Sequence, residues 1–294
     1  MGSLCAVCCE VLYGTSYVFT KLATQDASEL ALLGWRFALA FAVMAALSLV
    51  GVFKISLKGK NLRPLLLVAL FSPVLYFIGE TVGISNTTAS ESGIFLACIP
   101  VAALIASTVV LKKKPMKIQV AGILITLVGV LVTVLAVGAS SSFSVAGYAF
   151  LLVAVVSYAL YSVCVDRAAG YNGLEITYVM VAAGATAFVV LAFAEAVAKG
   201  DVGGLLVLPL RDTGFLCAVL FQGIGCSVLA FFLSNTAIAK IGVNRTSTFI
   251  GVSTVVSIAA GAVFLGESLS LLQVVGAVVV VAGVCIANAV RTAD

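Results

Sequence analysis

Clusters of charged residues, glycine and proline divide an otherwise almost continuously apolar chain. The resulting segments lie near 3 to 22, 29 to 52, 63 to 80, 89 to 111, 117 to 137, 145 to 165, 175 to 198, 212 to 232, 242 to 265 and 269 to 290. A membrane-crossing helix needs ~20 mostly apolar residues, which is close to the length of these blocks, so the pattern predicts ten spanning helices. Residues 63 to 111 are too long for one span, and the "SNTT" at 85 to 88 is read as the hairpin that divides them.

Composition agrees. Of 294 residues, 63% are hydrophobic and 10% charged, against about 25% charged in a soluble domain. Ten spans leave no length for a soluble domain. The first segment has no Lys or Arg ahead of it and contains Glu10, which makes it a poor secretory signal. Ala6 stands where a myristoylation signal needs Ser or Thr. The eight cysteines fall mostly in apolar runs of a chain without histidine, so they are read as small buried hydrophobes and no metal or cofactor is expected.

At an offset of 154, "QVAG" (Gln119 to Gly122) aligns with "QVVG" (Gln273 to Gly276), Gly129 with Gly283, Phe95 with Phe249 and Leu111 with Leu265. An offset of 145 pairs Tyr13-Gly14 with Tyr158-Ala159. The chain is read as two five-helix repeats, 1–138 and 139–294. An odd number of spans per repeat turns the second copy over in the membrane. Lys and Arg favour the cytoplasmic side, and the charge distribution fits the inversion. With the termini cytoplasmic, the inner side collects Lys54, Lys58, Lys60, Arg63, Lys112, Lys113, Lys114, Lys117, Arg167, Lys240, Arg245 and Arg291. Lys21, Arg36, Lys199 and Arg211 remain outside. The basic "LKKKPMK" at 111 to 117 aligns with "LGESLSL" at 265 to 271, as expected of homologous loops on opposite faces. The net charge of +4 therefore reports topology, not nucleic-acid binding, and the expected location is the plasma (inner) membrane.

These features resemble the drug/metabolite transporter superfamily, EamA type. The resemblance rests on the two repeats, on "YG" at Tyr13-Gly14, "RF" at Arg36-Phe37, "ASESGIFLACIP" from Ala89, and "LGESLSLLQVVGAVVVVAGV" at 265 to 284. It implies an all-α membrane protein of ten transmembrane helices, arranged as two inverted five-helix repeats around a central cavity. It also implies a permease working by alternating access, often as an exporter of amino acids or other metabolites. The sequence departs from the family where "KKKPMK" replaces a Gly-Glu turn and where Tyr13 and Tyr158 replace the common Trp.

Carriers built from inverted repeats bind substrate near the bilayer midplane, between the repeats, so polar residues inside spans are the candidates. Glu10, Gly14, Tyr17 and Lys21 recur at spacings of 4, 3 and 4, with Tyr13 alongside, forming one helix face. A carboxylate in hydrocarbon costs at least ~2.5 kcal/mol and marks function unless the span begins after it, and both readings stand for Glu10. Lys21 is read as an end residue that snorkels to the surface. Ser72, Tyr76 and Glu80 repeat the pattern at intervals of four beside Pro73, which removes a backbone hydrogen bond and bends the helix. Glu80 is the stronger candidate for a proton or amine site. Glu91 ends "TASE", which is also a capping box, so cap and site are both open. Arg245 is either a cytoplasmic anchor or a contact for a substrate carboxylate. Gln222, Ser227, Tyr158 and Tyr161 are cavity candidates on helical spacing. Arg36 can snorkel outward or pair with a carboxylate such as Glu80. Gly122 with Gly129, Gly276 with Gly283, and the Ser253, Ser257, Gly261 ladder are read as close-packing seams. Pro100 aligns with Thr254, so one repeat is expected to bend where the other runs straight.

The reading that joins these features is a secondary carrier of small polar metabolites. Its partners would be the substrate, the lipid bilayer and, as a candidate coupling ion, the proton; a homodimer is compatible with the sequence. A lipid or lipid-phosphate flippase on the same scaffold is the alternative and would need a strongly basic cavity. An enzyme is disfavoured, because without histidine there is no Ser-His dyad and every Asp falls at a helix end or in a loop. No Walker-type loop is present to hydrolyse ATP.

Overall fold

The computed structural model describes residues 1–53, 55–57, 59–112, 115–138, 144–267 and 270–288, and every regular element among them is helical. We label them α1 (Gly2–Ala23), α2 (Glu29–Leu49), α3 (Arg63–Ser85), α4 (Ala89–Leu96), α5 (Ile99–Val110) and α6 (Lys117–Gly138) in the first half. The second half holds α7 (Val145–Arg167), α8 (Gly173–Lys199), α9 (Val202–Arg211), α10 (Thr213–Ile241), α11 (Val243–Leu265) and α12 (Leu271–Asn288). Seven of these, α1, α2, α3, α7, α8, α10 and α11, are long and apolar enough to cross a membrane. The protein is thus a multi-pass helical membrane protein.

Local sequence sets the helix ends. Ser28, Ser144, Asn172, Asp201 and Asp212 each accept a hydrogen bond from a first-turn amide, starting α2, α7, α8, α9 and α10. Gly266 stops α11 in the left-handed region, at φ 63°, where a side chain would be strained.

Packing crosses between the halves in a pattern that survives their exchange. α1 packs on α10 and α11 as α7 packs on α3 and on α5; α2 meets α10 as α8 meets α3; α2 pairs with α8, and α6 with α12. The α6–α12 seam is made of the predicted glycines. A Cβ on Gly122 would stand 2.6 Å from the Gly283 carbonyl oxygen, and one on Gly129 2.6 Å from that of Gly276. In lipid no hydrophobic force drives helices together, so such backbone contact and its dispersion energy hold the pair.

Several expectations change. The stretch from 89 to 111 is two helices, broken at Ala97 and Cys98, with Pro100 in the first turn of α5 where a missing N–H costs nothing. α11 is interrupted as well, at Phe249, although no proline is there. The expected contrast between a bent and a straight repeat is therefore replaced by a break in each. α9 was not anticipated; its Leu205 carbonyl accepts from Trp35 Nε1 at 2.9 Å. Lys21 does not snorkel: its ammonium donates to the Ser85 and Thr87 carbonyls at 2.9 and 2.5 Å, at the carboxyl end of α3, where the helix dipole favours a cation. Lys54, Lys58, Lys113, Lys114 and Arg291, which carry part of the charge argument, lie outside the described residues, as does Ala139 at the repeat boundary.

Candidate functional site

In corresponding places, α3 is kinked within Leu70–Leu75 and α10 widens into π-helical turns at Phe221–Ala230. Such turns are common at functional sites because they swing a side chain out of the α-helical register. In α3, Ser72 leaves helical geometry next to Pro73, as the proline led one to expect. In α10 nothing but "QGIG" marks the place, and the wide turn presents Gln222 and Ser227 to the interior.

Around these turns lies a buried polar cluster. Tyr76 donates its hydroxyl to Glu80 Oε1 at 2.7 Å. Arg36 donates from Nε to Ser227 Oγ at 2.8 Å and from Nη1 to Gln222 Oε1 at 3.1 Å. Gln222 in turn donates from Nε2 to Thr20 Oγ1 at 2.9 Å, which ties α10 to α1. Glu10 and Tyr17 both lie beside Ser253 of α11, and Tyr13 lies near Tyr158 and Tyr161. Tyr158 stacks edge-on against Tyr76, with centroids 5.6 Å apart. Tyr161 donates to Asn235 Oδ1 at 2.6 Å, and Asn235 to Thr177 at 2.9 Å. Glu10 is 3% exposed, Glu80 2% and Arg36 1%.

Counted from the helix ends opposite the termini, Glu80, Arg36, Gln222 and Glu10 stand about 7 to 20 Å along their helices at 1.5 Å per residue, inside the ~30 Å of hydrocarbon. The sequence-derived candidates Glu10, Tyr13, Tyr17, Tyr76, Glu80, Tyr158 and Gln222 are thus brought together. Glu91 and Arg245 are not among them. Glu91 forms the capping box at the start of α4: its N–H donates to Thr88 Oγ1 at 3.0 Å and its carboxylate accepts from the Thr88 N–H at 3.3 Å. Arg245 sits half-buried in the first turn of α11, with a buried Nε that has no hydrogen-bond partner.

Arg36 is the residue that sequence reasoning left undecided. It neither reaches the surface nor forms an ion pair among the described residues; two neutral side chains from the other half hold it, and its guanidinium lies over the Phe77 ring at 4.2 Å. Among the described residues no cluster of His, Cys, Asp or Glu could hold a metal ion, and all eight cysteines are free.

Carboxylates, a guanidinium and hydroxyls, drawn from both halves and sealed among apolar spanning helices, define a membrane transport protein. The chain belongs to the EamA-like transporter family, whose model matches residues 1–135 and again 145–289. It is 32% identical over 287 residues to the "Uncharacterized transporter YcxC" of Bacillus subtilis (strain 168), covering 97% of this chain and 92% of the relative. It is 26% identical to the "Uncharacterized transporter YyaM" of the same organism, over 95% of this chain and 91% of the relative. An "Uncharacterized transporter" of Archaeoglobus fulgidus shares 23% identity over 93% and 94%. A solved crystal structure matches with a TM-score of 0.72 at 19% identity, over 98% of this chain and 96% of its own, a likeness of fold alone.

Proposed function

We propose that the protein is a secondary active transporter that exports small polar metabolites such as amino acids by alternating access. In this reading ten spans, as two inverted five-helix repeats, cross the plasma membrane with both termini in the cytoplasm. One observation carries it: the polar cluster of Glu10, Arg36, Glu80 and Gln222 is buried at membrane depth and built by helices of both halves. Buried ionisable groups in a bilayer are costly and mark substrate or ion pathways. A site shared between two repeats is what alternating access requires, because rocking one repeat against the other exposes it to each side in turn. The exchange-symmetric packing supports the repeat architecture.

The cluster holds two carboxyl groups, Glu10 and Glu80, and one guanidinium, which interacts with Glu80, leaving one negative charge to be matched when both carboxyls are ionised. A proton or a substrate ammonium would supply it, and this supports proton coupling through Glu80 or Glu10. The lipid-phosphate alternative wants several cations in the cavity; Arg36 is the one cation of this cluster among the described residues. The test is counterflow of a mixed amino-acid and metabolite pool in proteoliposomes, read by mass spectrometry, with the native protein and Glu80→Gln. Exchange of specific pool members by the native protein and its loss in the variant is the expected result. Exchange untouched by the substitution would remove Glu80 from the site, and no exchange of any member would remove the reading.

A further inference from the structure

Arg36 has an incomplete set of partners. A guanidinium offers five N–H donors. Nε is taken by Ser227 and Nη1 by Gln222, while Nη2 is buried with no hydrogen-bond partner. An unsatisfied buried donor costs ~1–3 kcal/mol, more when charged, and a native fold that keeps one calls for an explanation. Packing does not supply it: Phe77 covers a face of the guanidinium plane, whereas the free N–H groups point from its edge. Nor does Glu80, which lies close enough to feel Arg36 electrostatically yet makes no ion pair with it among the described residues and is held by Tyr76 instead. A fixed cation edge and a fixed carboxylate thus stand near each other, unjoined.

We propose that Nη2 of Arg36 is the anion-binding group of the central site, and that transported substrates must carry a carboxylate to meet it. The proposal rests on the transporter reading above and narrows it. Ser227 and Gln222 pre-orient the guanidinium, so a carboxylate completes its hydrogen bonding with little ordering cost. The charges favour a carboxylate over a phosphate. One guanidinium matches one negative charge, so a dianion would stay half-matched, whereas a zwitterion offers its carboxylate to Arg36 and its ammonium to Glu80.

The experiment is counterflow with the full-length protein in proteoliposomes, using three matched probe sets: common L-amino acids, the amines that lack their carboxylate, and the acids that lack their amine. The native protein is expected to exchange carboxylate-bearing probes and to reject the amines. Arg36→Lys, which keeps the charge but loses the planar fork, is expected to raise KM at least ~10-fold with a smaller change in kcat, because a site built to hydrogen-bond a group loses binding when the pairing fails. Amines exchanged as well as the amino acids, or a KM change below tenfold in folded Arg36→Lys, overturns the assignment and leaves the transporter reading standing. The comparison of probe sets needs no variant, so it decides the matter even where Arg36→Lys does not fold. If no probe exchanges, the reading of an exporter of amino acids and kindred metabolites falls and this inference with it.

Discussion

In the proposed carrier, a buried carboxyl either completes the backbone's hydrogen bonding or serves the transported species, and under this proposal Glu91 and Glu80 divide on that ground. Glu91 answers a free amide at the start of α4, whereas Glu80 is met by the Tyr76 hydroxyl, well inside α3. Glu91→Ala should cost ~1 kcal/mol of stability, the worth of a helix cap, with substrate KM unchanged. Glu91→Gln keeps the box and should restore the melting temperature. Tyr76→Phe removes the hydroxyl that holds Glu80 and should slow transport at least ~10-fold at low substrate, with stability, read from the melting temperature, lowered by no more than the ~1 kcal/mol that a typical hydrogen bond contributes. Loss of transport in Glu91→Gln would move Glu91 into the site. The cap was legible because its residues lie three apart in the sequence. Arg36 was not, because its partners lie 186 and 191 positions away and only the closed fold brings them to it.

Helices in lipid are held by how closely they approach, so their stability turns on small residues. The Gly129 position would place a Cβ 2.6 Å from the Gly276 carbonyl oxygen and 2.7 Å from the Val280 nitrogen, both backbone atoms that cannot rotate aside. Gly129→Val should therefore force α6 and α12 apart and destabilise by ~3 kcal/mol, the upper range for overpacking, seen as a lower melting temperature in detergent. Gly203→Ala, with nothing within 4 Å, should melt as the native protein does. Equal melting temperatures for the two variants would show that the seam is not where the pair is held. Helix positions were readable from blocks of apolar residues, and the glycine seam from its repetition. The wide turn in α10 and the interruption at Phe249 were not, since no proline marks them and tertiary packing alone selects them. α9 was missed because its apolar stretch is short and lies between Asp201 and Asp212, which read as the ends of a loop.

At the scale of the molecule, the proposed alternating access needs ends that close and reopen, and contacts between the halves stand at both. At the end opposite the termini, the Glu267 carboxylate, past α11, accepts from the Ala89 N–H at the start of α4 at 2.9 Å. At the terminus-bearing end, Lys60 before α3 binds both oxygens of Glu175 in the first turn of α8, at 2.8 and 2.9 Å, and the Tyr171 hydroxyl donates to the Asn61 carbonyl. Glu175 is also the third-position residue of the Asn172 capping box, a role that glutamine can take. Glu175→Gln thus removes the charge and leaves the helix start intact. With Lys60 35% exposed at its side chain, the ion pair is worth up to ~1 kcal/mol. A bias of that size shifts a two-state equilibrium about fivefold. Opening of this end should rise by that factor in Glu175→Gln, measured as the alkylation rate of a single cysteine placed at Tyr161 in an otherwise cysteine-free protein. High salt should speed the native protein toward the variant, since Lys60 is partly exposed and screening weakens its attraction to Glu175. Labelling that is equal in the native protein and the variant would mean that the closure of this end is carried by helix packing, with the ion pair along for the ride.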